Sequence, residues 1–297
     1  MHVSSLARLA AACHRDGFDL IHAQRDRDLH KALVIGRTAG LPVIFTRHNV
    51  GNVSERARKR LASTSHIIAV SDFVRELVLR QAGLSPDRIT TVHPGIDAGS
   101  GPLAGPRTVL SELGIPPGSP VFGMVNRLAP EKNCAVLLHA AAYLKASHPE
   151  AYHVLVGSGP DRESLEQLAK SLGVSERVVF TGFVEDPAVL RREFTAFVAA
   201  GDEEAFCYSI LEAMASGLPI LAAQAGGNPE LVEQGKNGLL FPPGSPSALA
   251  EAMQYCIENP ATRETMAHEA QALAATRFSA ANEIENTLRV YRGALKR

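Results

Sequence analysis

Between Asp202 and Pro219 the chain reads DEEAFCYSILEAMASGLP, which places Glu204 and Glu212 eight residues apart around an apolar run that begins near Cys207. A carboxylate accepts hydrogen bonds from hydroxyls, so two of them beside a helix start are suited to two sugars. The helix N-terminus between them offers unpaired backbone N–H groups and the positive end of its dipole to an anion. Upstream, Arg127 and Lys132 stand five residues apart in NRLAPEKN. Arg grips phosphate bidentately and Lys acts as a compact charge, so this pair suits a diphosphate. Together the four residues describe a nucleotide-sugar site: ribose on Glu212, diphosphate on the helix start and the cations, the second sugar on Glu204. Taken singly, Glu204 is as well explained by the helix dipole, and Glu212 by a solvated helix position.

The elements that must position these groups are readable as short apolar runs alternating with helical ones. In the front half, residues 18–24, 41–49, 65–71 and 89–97 read as strands. The Gly/Pro/Ala-rich stretch Ala98–Pro106 reads as a hinge. Beyond it, strands are expected at 120–128, 177–183, 196–201, 219–224 and 238–241, and a strand and turn at 152–160. Helices are expected at 133–148, 161–173, 186–194, from Phe206 to about Gly217, at 229–235, and from about Ser245 to before Pro260. The alternation predicts an α/β fold of two Rossmann-like, doubly wound domains with parallel sheets. The first reads as incomplete, because no strand or Gly-rich turn precedes residue 18. Val3, Leu6, Ala10 and Cys13 repeat at helical spacing instead. The last stretch, with Ile284, Leu288, Val290, Tyr291 and Leu295 on one face and Arg289, Arg292, Lys296 and Arg297 on the other, predicts a terminal helix packed on the body.

Ligands of such sheets bind beyond the carboxyl ends of the strands. Arg127 and Lys132 fall there, as do Gly157 in GSGP, Val184 with Glu185 and Asp186, the DEEAF run, and QAGGNPE. A dinucleotide fingerprint is excluded because Arg162 stands where GSGP would need its third small residue.

With 297 residues the chain is long enough for two ordinary domains, and 45% hydrophobic against 21% charged residues argues against disorder. No apolar run approaches the roughly 20 residues that span a bilayer. Cys13, Cys134, Cys207 and Cys256 form no CxxC or zinc spacing, which suggests reduced thiols in a cytoplasmic chain. Residues 1–97 carry 14 Lys/Arg against 9 Asp/Glu, and the remainder 16 against 22. That asymmetry fits a front half that meets an anionic acceptor or membrane surface, or simply a solvated face.

The run EAFCYSILEAMASGLPILAAQAGGNPELV resembles the donor-site signature of glycosyltransferase family 4, retaining enzymes of the GT-B fold. NRLAPEKN is similar to that family's G-R-L-x-x-x-K loop, and VLVGSGPDRESLEQLAKSLGVSERVVFTGFVED and GKNGLLFPPGSPSALAEAM follow its usual course. FDLIHAQ, SHIIAVSDFV and TTVHPGID resemble the closing half of its acceptor domain, so the resemblance runs from about residue 18 onward.

The resemblance implies domains at 1–97 (acceptor side, incomplete), a linker at 98–106, a donor domain at 107–277, and a helix at 278–297 that crosses back to the first domain. It implies that Arg127 and Lys132 bind the donor diphosphate and stabilise the leaving group, and that Glu212 holds the ribose. Glu204 would hold the transferred sugar, helped by backbone at Phe206 and Cys207, and Val184 would read the base. Gly157 would border the donor. His48 matches a histidine beside the transferred sugar, and His22 is a weaker candidate. The implied donor is a nucleoside-diphosphate sugar, UDP being the favoured nucleotide, with no metal or other cofactor. The implied acceptor is a cell-envelope glycan or lipid-linked molecule such as lipopolysaccharide, reached by an enzyme peripheral to the membrane. No nucleic-acid partner is expected.

Three positions depart from the family pattern: Asn126 stands for the usual Gly, Ala205 for the usual Gly or Pro, and Gln24 where a second histidine is common. The alternatives are a nucleotide-sugar-binding remnant without turnover, and a GT-B epimerase. The epimerase would need further acid/base residues, and no carboxylate constellation beyond the donor pair is visible.

Overall fold

The computed structural model describes residues 3–97 and 109–296, which form two compact units. The first comprises the described residues up to Gly95 together with those from Ala280; the second runs from Ile96 to Ser279. The expected hinge Ala98–Pro106, the side chain of Val3 and Arg297 lie outside the described residues.

The first unit contains α1 (Val3–Arg15), β1 (Ile21–Ala23), α2 (Asp26–Ala39), β2 (Val43–Arg47), α3 (Glu55–Ala62), β3 (His66–Ala69), α4 (Asp72–Ala82) and β4 (Ile89–Thr91). Its four strands pair in parallel in sequence order. Every residue of β2 is buried, which is why VIFTR reads as an unbroken run rather than an alternation. Ser54 and Ser71 cap α3 and α4 by accepting the N–H groups of Ala57 and Val74. Gly40 and Gly83 end α2 and α4 in the left-handed conformation.

The second unit contains α5 (Val109–Glu112), β5 (Val121–Val125), α6 (Ala135–Leu144), β6 (Tyr152–Val156), α7 (Arg162–Ser171), β7 (Val178–Gly182), α8 (Ala188–Arg191), β8 (Ala196–Ala199), α9 (Tyr208–Ala215), β9 (Ile220–Ala223), α10 (Asn228–Leu231), β10 (Gly238–Phe241), α11 (Pro246–Glu258) and α12 (Pro260–Ala275). Its six parallel strands lie in the order β10-β9-β8-β5-β6-β7. The strand order reverses at β5, between β6 and β8, and the crevice outside such a switch point is where ligands bind. Three elements differ from expectation. The helix expected at 229–235 is a single turn, Asn228–Leu231. The helix expected at 186–194 is a single turn, Ala188–Arg191, entered through Pro187. Pro260, expected to stop a helix, also starts α12, since proline at the first helical position loses no hydrogen bond.

The final helix, α13 (Ala280–Leu295), belongs to the first unit, where Val290, Tyr291 and Ala294 pack with Ile44, Ile68 and Val92. The expected packing of a terminal helix is seen here, and part of its apolar face stays exposed. Ile284, Leu288 and Leu295 are 59%, 40% and 49% exposed. Neighbouring helix positions diverge by about 100° around the axis, so a stripe through Val290 and Ala294 leaves Leu295 to the side.

Candidate functional site

The loops after β5 and β6 are stitched together by backbone. Asn126 N–H donates to Val156 O at 3.0 Å, Leu128 N–H to Ser158 O at 3.0 Å, and Asp161 N–H to Leu128 O at 3.1 Å. Gly157 has φ +133°, and a Cβ there would overlap the Asn126 carbonyl; one at Gly159 would overlap that of Leu128. The glycines of GSGP therefore serve close backbone approach. Gly157's own amide donates to Gly182 O at 2.8 Å, so its contribution to the loop is space.

The loop after β5 carries Arg127, two-thirds exposed and 3.9 Å from Glu131, and ends at Lys132. Lys132 Nζ donates to Glu204 Oε1 at 2.6 Å, with side chains 27% and 12% exposed. Burial pulls the Lys132 pKa down, but the hydrogen bond and charge of Glu204 outweigh it, and the net shift is upward. Lys132 is thus a firmly charged ammonium. Glu204 is held from behind: Gly227 N–H donates to its carbonyl at 2.8 Å, and Gly226, at φ +55°, leaves no room for a Cβ against that carbonyl. The glycines of QAGGNPE are what let the loop after β9 reach the loop after β8.

Glu212 sits in the second turn of α9 and accepts from Arg191 at 2.8 Å. The arginine side chain is 8% exposed and the carboxylate 41%, so the guanidinium anchors Glu212 while its outer side stays open to solvent. Burial lowers the Arg191 pKa, partly offset by Glu212 and Asp186. No local pattern in the sequence marks Arg191, one of two adjacent arginines beyond the reach of any motif.

Phe206 and Cys207, at the start of α9, are both buried, with Phe206 against Tyr208 and Phe278. The Cys207 thiol lies 3.2 Å from Ser209 Oγ, and burial, followed by the charge of Glu204, pushes its pKa up to about 11. It remains a neutral thiol, and what this turn offers an anion is backbone N–H. Val184 follows β7, half-buried beside Phe183, whose ring is 79% exposed. That exposed aromatic was not singled out in the sequence.

In the first unit, His22 and His48 are joined through Gln24. His22 Nδ1 is 2.6 Å from the Tyr291 hydroxyl and its Nε2 is 2.7 Å from Thr46 Oγ1. His48 Nε2 is 2.8 Å from Gln24 Oε1, an atom that can only accept, so Nε2 carries the proton. Burial, then the neighbouring His48, lowers the His22 pKa to about 4, and burial lowers that of His48 despite Glu283 and Asp26. Both rings are neutral near pH 7. They line a cavity of about 380 Å³ with Glu283 and Tyr291. The loop bearing His48 is anchored by buried Arg47, which donates to Asp26 at 2.6 Å, to Asn49 O at 3.1 Å and to Gly51 O at 2.5 Å. Tyr291 and Thr46 were not identified from sequence as partners of His22, because contacts across 269 and 24 residues leave no local signature; Arg47, whose partners lie 2, 4 and 21 residues away, was not identified either.

Residues 108–273 match the model of the family described as glycosyl transferases group 1, and residues 1–99 that of Glycosyltransferase Family 4. A D-inositol 3-phosphate glycosyltransferase of Frankia alni is 29% identical, the match covering 96% of this chain and 77% of that protein. The protein of the same name from a Nocardioides species is 31% identical over 86% of this chain and 63% of its own length. The Anabaena HepE protein, solved with UDP, superposes with a TM-score of 0.86 at 27% identity, covering 97% of this chain and 82% of that one. Its complex with UDP-glucose gives 0.84 over the same shares. No described helix is long and apolar enough to cross a membrane. With two parallel-sheet units, cations and carboxylates on the elements that follow the strands around the switch point of the second, and family matches along both units, the chain belongs to the glycosyl transferases group 1 family, GT-B glycosyltransferases that bind nucleotide-sugars.

Proposed function

We propose that the chain is a retaining glycosyltransferase whose donor is a UDP-sugar. The observation that carries this reading is the Lys132–Glu204 pair at 2.6 Å, beside the start of α9. It sets a fixed cation and a sugar-accepting carboxylate where a helix end receives a diphosphate. Arg127 adds a second, exposed cation, Glu212 holds the ribose, and Val184 borders the base. Phe206, Cys207 and Gly157 shape the backbone around them. Neutralisation of the diphosphate is assigned to side chains and the helix end, without a bound metal. The glycosyl–phosphate bond breaks as the acceptor oxygen attacks from the same face, and the acceptor's proton passes to the departing phosphate. His48, with His22 behind it, belongs to the acceptor-side chemistry. The UDP and UDP-glucose bound by the Anabaena relative support the uridine donor.

The acceptor is an anionic molecule of the cell envelope, a glycan or lipid-linked species such as lipopolysaccharide, met by an enzyme peripheral to the membrane. The basic first unit supports this class. A second reading, a phosphorylated polyol, is favoured by the name of the curated relatives, D-inositol 3-phosphate glycosyltransferase. Release of UDP from UDP-glucose, followed with inositol 3-phosphate and with lipopolysaccharide core, tests both. Transfer to one names the acceptor. Donor binding without release in any mixture would make the chain a nucleotide-sugar-binding remnant.

A further inference from the structure

The first unit has a second concave region, on the sheet edge opposite the histidine cluster. It follows the amino ends of β2, β3 and β4 as three adjoining hollows of about 650, 500 and 290 Å³, all bordered by Ser65. Arg37, Arg56, Lys59 and Arg60 line the largest, and Arg88 and Arg289 line the others. Among the described residues, no carboxylate lines any of the three. Arg56, Lys59 and Arg60 have the spacing that puts them on one side of α3.

Helix dipoles give a competing explanation, because α2, α3 and α13 all end at this edge. Cations in last turns offset the partial negative charge there. The magnitudes do not balance. Three helix ends amount to roughly 1.5 negative charges. Of the six cations, Lys59 is paired with Glu55 at 3.0 Å and Arg289 with Glu285 at 3.1 Å, which leaves four. Arg56 lies in the first turn of α3, where the dipole opposes a cation. Among the described residues, Arg37, Arg56 and Arg60 have no ion pair or side-chain hydrogen bond. More than two positive charges are therefore left facing one cleft.

We infer that this cleft binds a phosphate-bearing ligand with two or more negative charges, held by Arg37, Arg56 and Arg60. Guanidinium forks match phosphate oxygens in pairs, and a cluster of them favours a multiply charged group over a single carboxylate. The phosphate belongs either to a free polyphosphate or to a lipid headgroup. The site stands apart from the donor reading and lies wholly within the first unit.

The test uses the 297-residue chain carrying Arg127→Ala, so that the proposed donor cation does not contribute. It is titrated with inorganic pyrophosphate by calorimetry, and floated with phosphatidylcholine vesicles with and without phosphatidylglycerol. Binding to pyrophosphate, or only to vesicles containing the anionic lipid, is expected, and identifies the source. Adding Arg56→Ala with Arg60→Ala should weaken it by roughly tenfold or more. Adding Arg80→Ala with Lys170→Ala, which removes the same charge elsewhere, should change it little. Absence of binding in both arms, or equal loss in the two double variants, overturns the inference. UDP binding by the Arg56→Ala/Arg60→Ala chain with Arg127 intact should match the wild type, so this inference and the donor reading fail separately.

Discussion

Lys132 Nζ and Glu204 Oε1 lie 2.6 Å apart, so the cation assigned to the diphosphate and the carboxylate assigned to the sugar are one hydrogen-bonded pair. Lys132→Met strands a carboxylate that is 12% exposed, and should cost about 1–3 kcal/mol of stability. Adding Glu204→Gln should recover part of that loss. Denaturant unfolding of the two single variants and the double closes the cycle. Strict additivity would mean that the pair contributes nothing as a pair.

Arg191 and Glu212 should respond unequally to removal of the partner. Glu212→Ala leaves a guanidinium that is only 8% exposed without its hydrogen-bonded counter-charge, and should cost about 2–4 kcal/mol. Arg191→Met leaves a carboxylate that water reaches, and should cost under about 1 kcal/mol. Equal losses in urea titrations would contradict the anchoring role assigned to Arg191.

Gly157→Ala combines a left-handed φ of +133° with overlap against the Asn126 carbonyl. Gly118→Ala has a positive φ of +85° but open space around it. The first should destabilise by about 3 kcal/mol or more and the second by about 1 kcal/mol. Thermal unfolding of the two variants side by side decides whether backbone approach of the β5 and β6 loops matters.

The parallel sheets were legible because strands covered on both faces read as unbroken apolar runs: VFGMV, YHVLV and AFVA each coincide with a strand. The loops with glycines, cations and carboxylates were legible because each closes one strand. The pairings were not: nothing near Glu212 points to Arg191, 21 residues earlier, and nothing near His22 points to Tyr291. That α13 packs was legible, but which of its two adjoining apolar stripes meets the sheet was not. The single turn of α8 was overestimated because LRREF continues a helical pattern past the point where the chain turns into β8.

His153 is fully buried and stacked at 6.0 Å on Phe122, and burial lowers its pKa to about 3. Between there and the ordinary value of 6.5, the unfolded chain binds a proton that the folded chain excludes. Stability therefore rises with pH across that window and is lost as pH falls through it. His22 acts in the same direction, from about 4 upward. His153→Phe should remove part of this slope, worth on the order of a few kcal/mol at most, and move acid unfolding to lower pH. An unchanged acid midpoint would show that His153 titrates normally.

The most direct test of the donor site is calorimetric titration of the wild-type chain, and of its Arg127→Ala and Glu212→Ala variants, with UDP, GDP, ADP and CMP. Saturable one-to-one binding of UDP is predicted, stronger than that of the other three nucleotides and weakened by roughly tenfold or more in each variant. Binding that is absent, or equally strong in all three chains, would contradict the assignment of Arg127 and Glu212 to the nucleotide.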